Sequence, residues 1–241
     1  MFKLKLSSKR PFRADTKKTV SIDEYLNLFS LGEAEGCIVQ SKDRWDLYEK
    51  IKKVVAVLGN NADLNFLDVS DMQDLRYIFC RSKFNWDISR WDTSSVLNMS
   101  GMFDGSEFNG DISDWDVSNV KNMSGMFNGS KFNGDISTWD TSNVRDMSKM
   151  FRLSEFDRDI SKWNVSNVED MSGIFWNSKF NGDISNWDIS KVMNMIRMFE
   201  RSKFKGNLSN WKINPECDTY YMFAQSLLED KYGINAEKLK K

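Results

Sequence analysis

The sequence predicts a repeat solenoid, in which seven 24-residue coils stack on one another behind a helical N-terminal cap. Tryptophans recur at a constant interval, at Trp91, Trp115, Trp139, Trp163, Trp187 and Trp211. Phenylalanines keep the same interval, at Phe103, Phe127, Phe151, Phe175, Phe199 and Phe223. An amphipathic helical pattern directly precedes the first coil. A fixed period of this length is typical of architectures in which one unit stacks on copies of itself.

The boundaries of the coils follow from the phase of the repeat. An early copy begins at Leu67, so that residues 67–210 hold six regular coils, and residues 211–241 hold a degenerate last coil and a C-terminal cap. Each coil offers about 10–20 kcal/mol of apolar burial. Ordering the backbone of one coil costs about 1–2 kcal/mol for every residue. A single coil therefore cannot fold by itself, and both ends of the array need covering.

The N-terminal region differs in character from the repeats. Residues 1–40 are predicted as a basic strand and helix segment, in which residues 1–18 carry seven Lys or Arg against one Asp. This arm either docks on an anionic surface or is simply solvated. Residues 21–30 predict a short capped helix, and residues 42–58 predict an amphipathic helix. We expect residues 41–66 to form the helical cap of the first coil.

Composition excludes several classes of protein. Charged residues make up 29% and the formal net charge is −1, so the total charge requires neither nucleic acid nor membrane as a partner. No apolar run approaches the roughly 20 residues that span a bilayer, and the N-terminus lacks the apolar stretch of a signal peptide. These features predict a cytoplasmic or virion-associated protein unless a leader was removed. Cys37, Cys80 and Cys217 are predicted to be reduced thiols.

One motif recurs with enough detail to resemble a known family. Trp-Asp-Val-Ser-Asn-Val-Lys-Asn-Met-Ser-Gly-Met-Phe at 115–127 and Phe-Asn-Gly-Asp-Ile-Ser at 132–137 resemble the BspA-type leucine-rich repeat, the mycoplasma lipoprotein repeat of unknown function. The resemblance implies a leucine-rich-repeat-like, β-rich fold with short parallel strands around Asp-Ile-Ser-x-Trp and Val-x-x-Met. It also implies a bacterial surface protein linked to adhesion and protein binding, and similar repeats occur in phage.

The sequence lacks most of the residues on which common enzymes depend. It contains no histidine, which excludes Ser-His-Asp and Cys-His nucleophiles and His-based zinc sites. It contains neither GxGxxG nor GxxxxGK(S/T), so we expect no nucleotide and no cofactor. A pair of carboxylates suited to glycoside hydrolysis remains an alternative, although residues 67–210 contain no insertion that would build a cleft.

Two sets of repeated side chains are predicted to be structural. The aspartates Asp87, Asp111, Asp135, Asp159 and Asp183 should stack about 4.8 Å apart. We expect each carboxylate to accept backbone N–H groups in a turn, beside Asn109, Asn133 and Asn181; bound calcium is the alternative. The methionine columns, with Met99, Met123, Met147 and Met171 in one and Met102, Met126 and Met150 in the other, are expected to fill the core.

Positions that change from coil to coil carry the prediction of a binding site. Arg152 and Trp176 occupy adjacent rungs of one column, and Arg158 and Trp86 stand where other coils have Gly. Trp and Arg are enriched at binding hot spots. The residues predicted to contact a partner are Trp176, Arg152, Arg145, Arg158, Lys162 and Trp86. In the alternative interpretation, Trp176 folds over a neighbouring coil and Arg152 covers it.

The sequence therefore predicts a non-enzymatic binding module that presents a repeat surface to a protein or glycan, in bacterial or phage surface attachment. We expect no nucleic acid partner and no membrane insertion. Two alternatives stay open at this point. One is an intracellular interaction scaffold or effector, and the other is a β-solenoid enzyme acting on polysaccharides.

Overall fold

A computed structural model describes residues 17–59, 62–83 and 85–239. Most of the basic arm, Asn60, Asn61 and Phe84 lie outside these residues. The elements in chain order are β1 (Lys18–Thr19), α1 (Ile22–Leu31), β2 (Cys37–Gln40), α2 (Arg44–Leu58), β3 (Leu67–Asp68) and α3 (Glu229–Tyr232). The three strands form one parallel sheet in the order β1-β2-β3, with Val39 opposite Leu67. This sheet joins the N-terminal region to the first copy of the repeat.

Both predicted N-terminal helices are confirmed. The hydroxyl of Ser21 accepts the backbone N–H of Glu24 at the start of α1, and α1 ends at Gly32, which has a φ of 78°. Asp43 caps α2 by accepting the N–H groups of Trp45 and Asp46. An N-cap of this kind satisfies donors that have no partner within the helix. The buried face of α2 consists of Leu47, Ile51 and Val54.

Consecutive copies of the repeat are joined by a ladder of backbone hydrogen bonds. In one copy the N–H groups of Met99, Gly101, Phe103 and Gly105 donate to the carbonyls of Asn122, Ser124, Met126 and Asn128, over 2.7–2.9 Å. The same pattern begins at Leu75, which donates to Asn98, and ends at Arg201, which donates to Ala224. Each copy thus meets the next through backbone donors and acceptors, which satisfies polar groups that the core would otherwise leave unpaired.

Extended pairing between the copies is short. Parallel bridges of one residue connect Asp74, Asn98, Asn122, Asp146, Asp170, Asn194 and Asp218 in sequence, and another joins Asp63 to Asp87. The bridged residues from Asn98 to Asn194 each lie within the Val-x-x-Met segment of their copy. The backbone between these bridges turns rather than extends, and this explains how each copy closes around a core.

Stacked rings and methionines fill the interior. Phe103 and Phe127 lie 5.6 Å apart between ring centroids with an interplanar angle of 1°, and Phe103 also packs 4.5 Å from Phe108. The phenylalanines of both columns from Phe103 to Phe223 are at most 2% exposed, and Met99, Met102, Met123, Met126, Met147, Met150 and Met171 have no exposed surface. The prediction that the methionine columns form core is confirmed.

The repeated tryptophans do more than fill space. Each is 3–4% exposed, and the indole Nε1 of each donates to the backbone carbonyl of the residue 27 positions earlier in the chain. Trp115 donates to Ile88 over 3.1 Å, and Trp163 donates to Ile136 over 3.0 Å. A buried indole N–H needs an acceptor. The tryptophans therefore tie neighbouring copies together as well as filling the core.

Two columns of the repeat adopt a left-handed backbone. One holds Tyr77, Gly101, Gly125, Lys149, Gly173, Arg197 and Tyr221, each with a φ between 55° and 60°. The other holds Arg81, Gly105, Gly129, Leu153, Asn177, Arg201 and Gln225. Glycine adopts this conformation without steric cost, whereas other residues are strained in it. The turn of each copy therefore determines these φ values, whichever residue occupies the position.

The C-terminal segment closes the last copy. The hydroxyl of Thr219 donates to the carbonyl of Asn235, and the N–H groups of Tyr221 and Phe223 donate to Asn235 Oδ1 and to the carbonyl of Ile234. Within the C-terminal cap that the sequence predicted, residues 226–239 bury four side chains against the core, namely Leu228, Tyr232, Ala236 and Leu239. Among the described residues, no helix is both long enough and apolar enough to cross a membrane.

Candidate functional site

Arg152 and Trp176 lie side by side on the surface. Each directly follows a buried phenylalanine, Phe151 or Phe175, whose rings stack 6.0 Å apart. Stacking therefore places the two following residues in adjacent rungs. The guanidinium carbon of Arg152 lies 4.1 Å from the centroid of the Trp176 ring, which is a cation–π contact. Both residues are partly buried.

The column to which they belong is hydrogen-bonded from Asp104 to Arg152. We call it the variable column, and its residues are Cys80, Asp104, Asn128, Arg152, Trp176 and Glu200. The amide of Asn128 donates to Asp104 Oδ1 over 2.7 Å, and Arg152 Nη1 donates to Asn128 Oδ1 over 3.2 Å. Arg152 is consequently held by the copy before it and by the copy after it.

Arg197 is a member of the site that the sequence reasoning missed. Its guanidinium carbon lies 5.7 Å from the centroid of Trp176, so that the indole has two arginine neighbours. Arg197 Nε lies 3.5 Å from Glu200 Oε2, and Arg201 Nε lies 3.9 Å from Glu200 Oε1. The signal was present in the sequence, because Arg197 occupies a left-handed column where Gly101, Gly125 and Gly173 stand in other copies.

Two donors within this cluster lack an acceptor. Arg152 Nε and Trp176 Nε1 are buried and make no hydrogen bond within the part of the chain that the structure describes. Unlike the repeat tryptophans, Trp176 is therefore held by its ring contacts and not by its N–H group. Arg152 does lie over Trp176, as the alternative interpretation of the sequence expected, and the adjacent side chain of Leu153 is 45% exposed.

The other predicted basic residues make their contacts elsewhere. Arg145 Nη1 forms an exposed ion pair with Glu169 Oε1 over 2.9 Å. Arg158 Nε donates to the carbonyl of Asn133 over 2.9 Å, and Lys162 is exposed. The contacts described for these residues do not connect them to Trp176. The structure thus brings together Arg152 and Trp176 but leaves Arg145, Arg158 and Lys162 as separate surface positions.

Trp86 does not lie on the surface to which the sequence assigned it. The residue is 4% exposed, and its ring packs 5.3 Å from that of Phe79. The position holds Gly110 in the next copy, which suggested a side chain projecting outward. The indole instead turns inward onto the phenylalanine column. Trp86 therefore belongs to the core, and its assignment as a binding residue is corrected.

The aspartate column adopts the predicted turn geometry. Oδ1 of Asp135, Asp159 and Asp183 accepts the backbone N–H of the serine two residues later over 2.8–3.0 Å. These backbone bonds stabilise the charged form and lower the pKa of all three carboxyls. The structural interpretation is confirmed. In the described part of the chain, no group of three or more His, Cys, Asp or Glu side chains is placed to hold a metal ion.

A neighbouring ladder of amides reinforces each turn. Oδ1 of Asn85 accepts the N–H of Asn109, and Oδ1 of Asn109 accepts that of Asn133, both over 2.8 Å. The series continues through Asp157 and Asn181 to the N–H of Lys205. Side-chain acceptors thus extend the hydrogen bonding between copies onto the exposed face.

Comparison with known proteins gives one match. The family model described as "Mycoplasma protein of unknown function, DUF285" matches residues 46–153 and again residues 128–234. The two matches overlap and together extend over the whole repeat array. No curated protein and no solved structure matches the chain.

Proposed function

This chain belongs to the family of Mycoplasma proteins of unknown function, DUF285, and on that premise we propose that it is a non-enzymatic binding module. In this proposal the copies form a leucine-rich-repeat-like solenoid, and the later copies present the variable column to a protein partner. The long series of copies without insertions supports a recognition surface rather than a catalytic cleft.

The contact between Arg152 and Trp176 carries the proposal. Trp176 has arginine guanidinium groups 4.1 and 5.7 Å from its ring centroid, and Arg152 is further held by Asn128. Side chains that are fixed before binding lose little conformational freedom on association. Trp and Arg are also the residue types most enriched at binding hot spots.

The geometry favours a protein partner over a glycan at this position. A sugar ring would need an open face of the indole, whereas Arg152 and Arg197 lie against the Trp176 ring. The exposed Leu153 adds apolar surface beside these charges. A protein that places a carboxylate or backbone carbonyl next to an apolar side chain would complement this mixture.

Adhesion is the setting that we propose for this binding. The resemblance of the motif at 115–127 to BspA-type leucine-rich repeats supports a role in attachment at a bacterial or phage surface. In that setting the partner is an envelope or host-surface protein. An intracellular scaffold or effector would bind a cytosolic protein instead, so the compartment of the partner distinguishes the two functions.

Affinity capture tests this proposal. The full chain is immobilised and offered separately to envelope and cytosolic extracts, alongside an Arg152→Ala/Trp176→Ala variant. We expect an envelope protein to be retained by the native chain and lost by the variant. The control is Arg145→Ala/Arg158→Ala, which removes two exposed charges outside the variable column and should retain the partner.

Other outcomes would contradict specific parts of the proposal. Equal capture by the Arg152→Ala/Trp176→Ala variant would show that the variable column is not the interface. Capture from cytosol alone would replace adhesion with an intracellular role. Thermal unfolding of each variant establishes that loss of binding does not reflect loss of the fold.

A further inference from the structure

A second surface, at the N-terminal end of the repeat array, differs in chemistry from the surface around Arg152 and Trp176. Trp45 lies in the first turn of α2 and is 67% exposed, whereas the six repeat tryptophans are 3–4% exposed. The guanidinium carbon of Arg44 lies over one face of its ring, 4.5 Å from the centroid, so a ligand would use the other face; Trp176, by contrast, has two arginine neighbours. Burying an indole is strongly favourable, so the exposure of Trp45 sets it apart from the six repeat tryptophans.

Trp45 borders a cleft of 420 Å³ between the start of α2 and residues 71–76 of the first copy. This volume lies within the range of about 300–1,000 Å³ that is common for small-molecule sites. Apart from Trp45, the lining is mainly polar. Met72 also borders the cleft but is only 4% exposed. The indole of Trp45 is therefore the main exposed apolar side chain of the cleft.

The charges around the cleft balance. Three cations and three anions line it, namely Lys42, Arg44, Arg76, Asp43, Asp71 and Asp74. Arg76 Nη2 lies 2.9 Å from Asp74 Oδ2, and Arg44 Nε lies 3.9 Å from the same oxygen. The N–H groups at the start of α2 are already bound by Asp43. The lining therefore offers no surplus of charge to attract an anion or a cation.

We infer that this cleft binds a neutral sugar, with one ring resting on Trp45 and its hydroxyls directed to Asp71 and Gln73. A pyranose presents C–H groups on its face and hydroxyls around its edge, which matches a single indole surrounded by polar groups. The carboxylate of Asp71 accepts hydrogen bonds, and the amide of Gln73 both donates and accepts. Both residues are exposed.

Other ligands fit the cleft less well. An apolar peptide side chain needs a pocket lined mainly by apolar residues, whereas seven of the nine residues that line this cleft are polar or charged. A nucleotide would bring phosphate charge that no surplus of cations offsets. The sugar site is separate from the Arg152–Trp176 pair, since neither residue lines the cleft.

A glycan array with the purified full chain tests the inference. The array carries neutral oligosaccharides of glucose, galactose, mannose and N-acetylglucosamine together with sialylated and sulfated glycans. We expect retention on at least one neutral glycan, and its soluble form should quench the fluorescence of the native protein. Trp45→Ala should weaken that affinity by about tenfold or more, because the platform for the ring is lost. Gln73→Ala should weaken it to a smaller extent.

Two variants serve as controls. Tyr48→Ala removes another exposed aromatic ring of α2 that does not line the cleft, and Arg152→Ala/Trp176→Ala removes the proposed protein site. Both should bind the glycan as the native chain does. Binding that survives Trp45→Ala, binding to charged glycans alone, or no binding to any neutral glycan would each overturn the inference. None of these results bears on the protein capture described above, so the two proposals fail separately.

Discussion

The indole Nε1 of Trp139 donates a hydrogen bond of 3.2 Å to the backbone carbonyl of Ile112. The same carbonyl accepts the backbone N–H of Trp115. The carbonyl oxygen of Ile112 thus links the turn that ends at Trp115 to the next repeat tryptophan, Trp139. The constant spacing of the tryptophans follows from this contact, because phenylalanine has no N–H group and could not make it.

Replacing Trp139 by Phe should lower the free energy of unfolding by about 1–3 kcal/mol. The change removes a buried hydrogen bond and leaves a small cavity. Trp176→Phe is the matched control, since Trp176 Nε1 has no acceptor to lose, and we expect a clearly smaller effect. Urea unfolding of both variants measures the difference. Equal losses would indicate that the hydrogen bond of Trp139 contributes nothing beyond volume.

Replacing Lys149 by Gly should stabilise the protein by about 0.5–1 kcal/mol. Lys149 has a φ of 57°, and a left-handed conformation costs about 1–2 kcal/mol for a residue with a Cβ atom. Glycine recovers that cost but loses about 0.5–1 kcal/mol in chain entropy. Gly101, Gly125 and Gly173 already stand at this place in other copies.

Lys121→Gly is the control for this change. Lys121 is also exposed but does not have a positive φ, so only the entropic cost of glycine applies and stability should fall. Thermal and urea unfolding of the two variants give the comparison. A loss of stability in Lys149→Gly would mean that the left-handed turn is not strained.

Stability should decrease in acid. The pKa values of Asp135, Asp159 and Asp183 lie below the ordinary 3.8 because backbone N–H groups bind the charged carboxylates. The unfolded chain then binds more protons than the folded chain as the pH falls. The contribution of these carboxylates to the free energy of unfolding is complete above the ordinary pKa of 3.8. It is lost as the pH drops through the lowered pKa values of the folded state.

Urea unfolding from pH of about 7 to about 2 measures this dependence. The triple variant Asp135→Asn/Asp159→Asn/Asp183→Asn keeps an oxygen acceptor in each turn but does not titrate. Its stability should vary less with pH than that of the native chain. An unchanged acid dependence in the variant would assign the effect to other carboxylates.

Removal of calcium should leave the protein unaffected. The carboxylate of each aspartate in the column is already used by the backbone of its own turn, and no metal is needed to offset the repulsion between rungs. We expect the melting temperature in excess EDTA to match that in calcium-containing buffer within about 1 °C. A fall of many degrees would restore the calcium interpretation of this column.

Periodicity alone was sufficient to predict the buried columns. Phe127, Met123 and Trp139 repeat because stacking places the same side chain in the same environment, and burial confirms each of them. The helices at 22–31 and 44–58 were predictable from capping residues and spacing. The period does not show whether a side chain points into the core or outward. Trp86 and Arg158 replace the same glycine, yet one ring turns into the core and the other side chain stays outside.

The members of the candidate sites depend on contacts between columns. Arg152 and Trp176 were found because they share one column of the sequence, but Arg197 reaches the same indole from a different column. That contact depends on the backbone conformation at Arg197, which is left-handed. The cleft at Trp45 joins a helix to the first copy, so neither the repeat nor the helical pattern alone predicted it.

The closing contacts of Asn235 have a consequence for the size of the molecule. Asn235 and Ile234 accept the backbone N–H groups of Tyr221 and Phe223, and earlier copies present backbone N–H groups at the same places, for example at Arg197 and Phe199, so the closing segment would find these backbone donors on any copy that preceded it. The array can therefore gain or lose whole copies of the repeat without any change to its two ends. Each copy inserted between the cap and Arg152 would move the Trp45 cleft about 4.8 Å further from the Arg152–Trp176 pair. The number of copies between the cap and Arg152 thus sets the distance between the two surfaces.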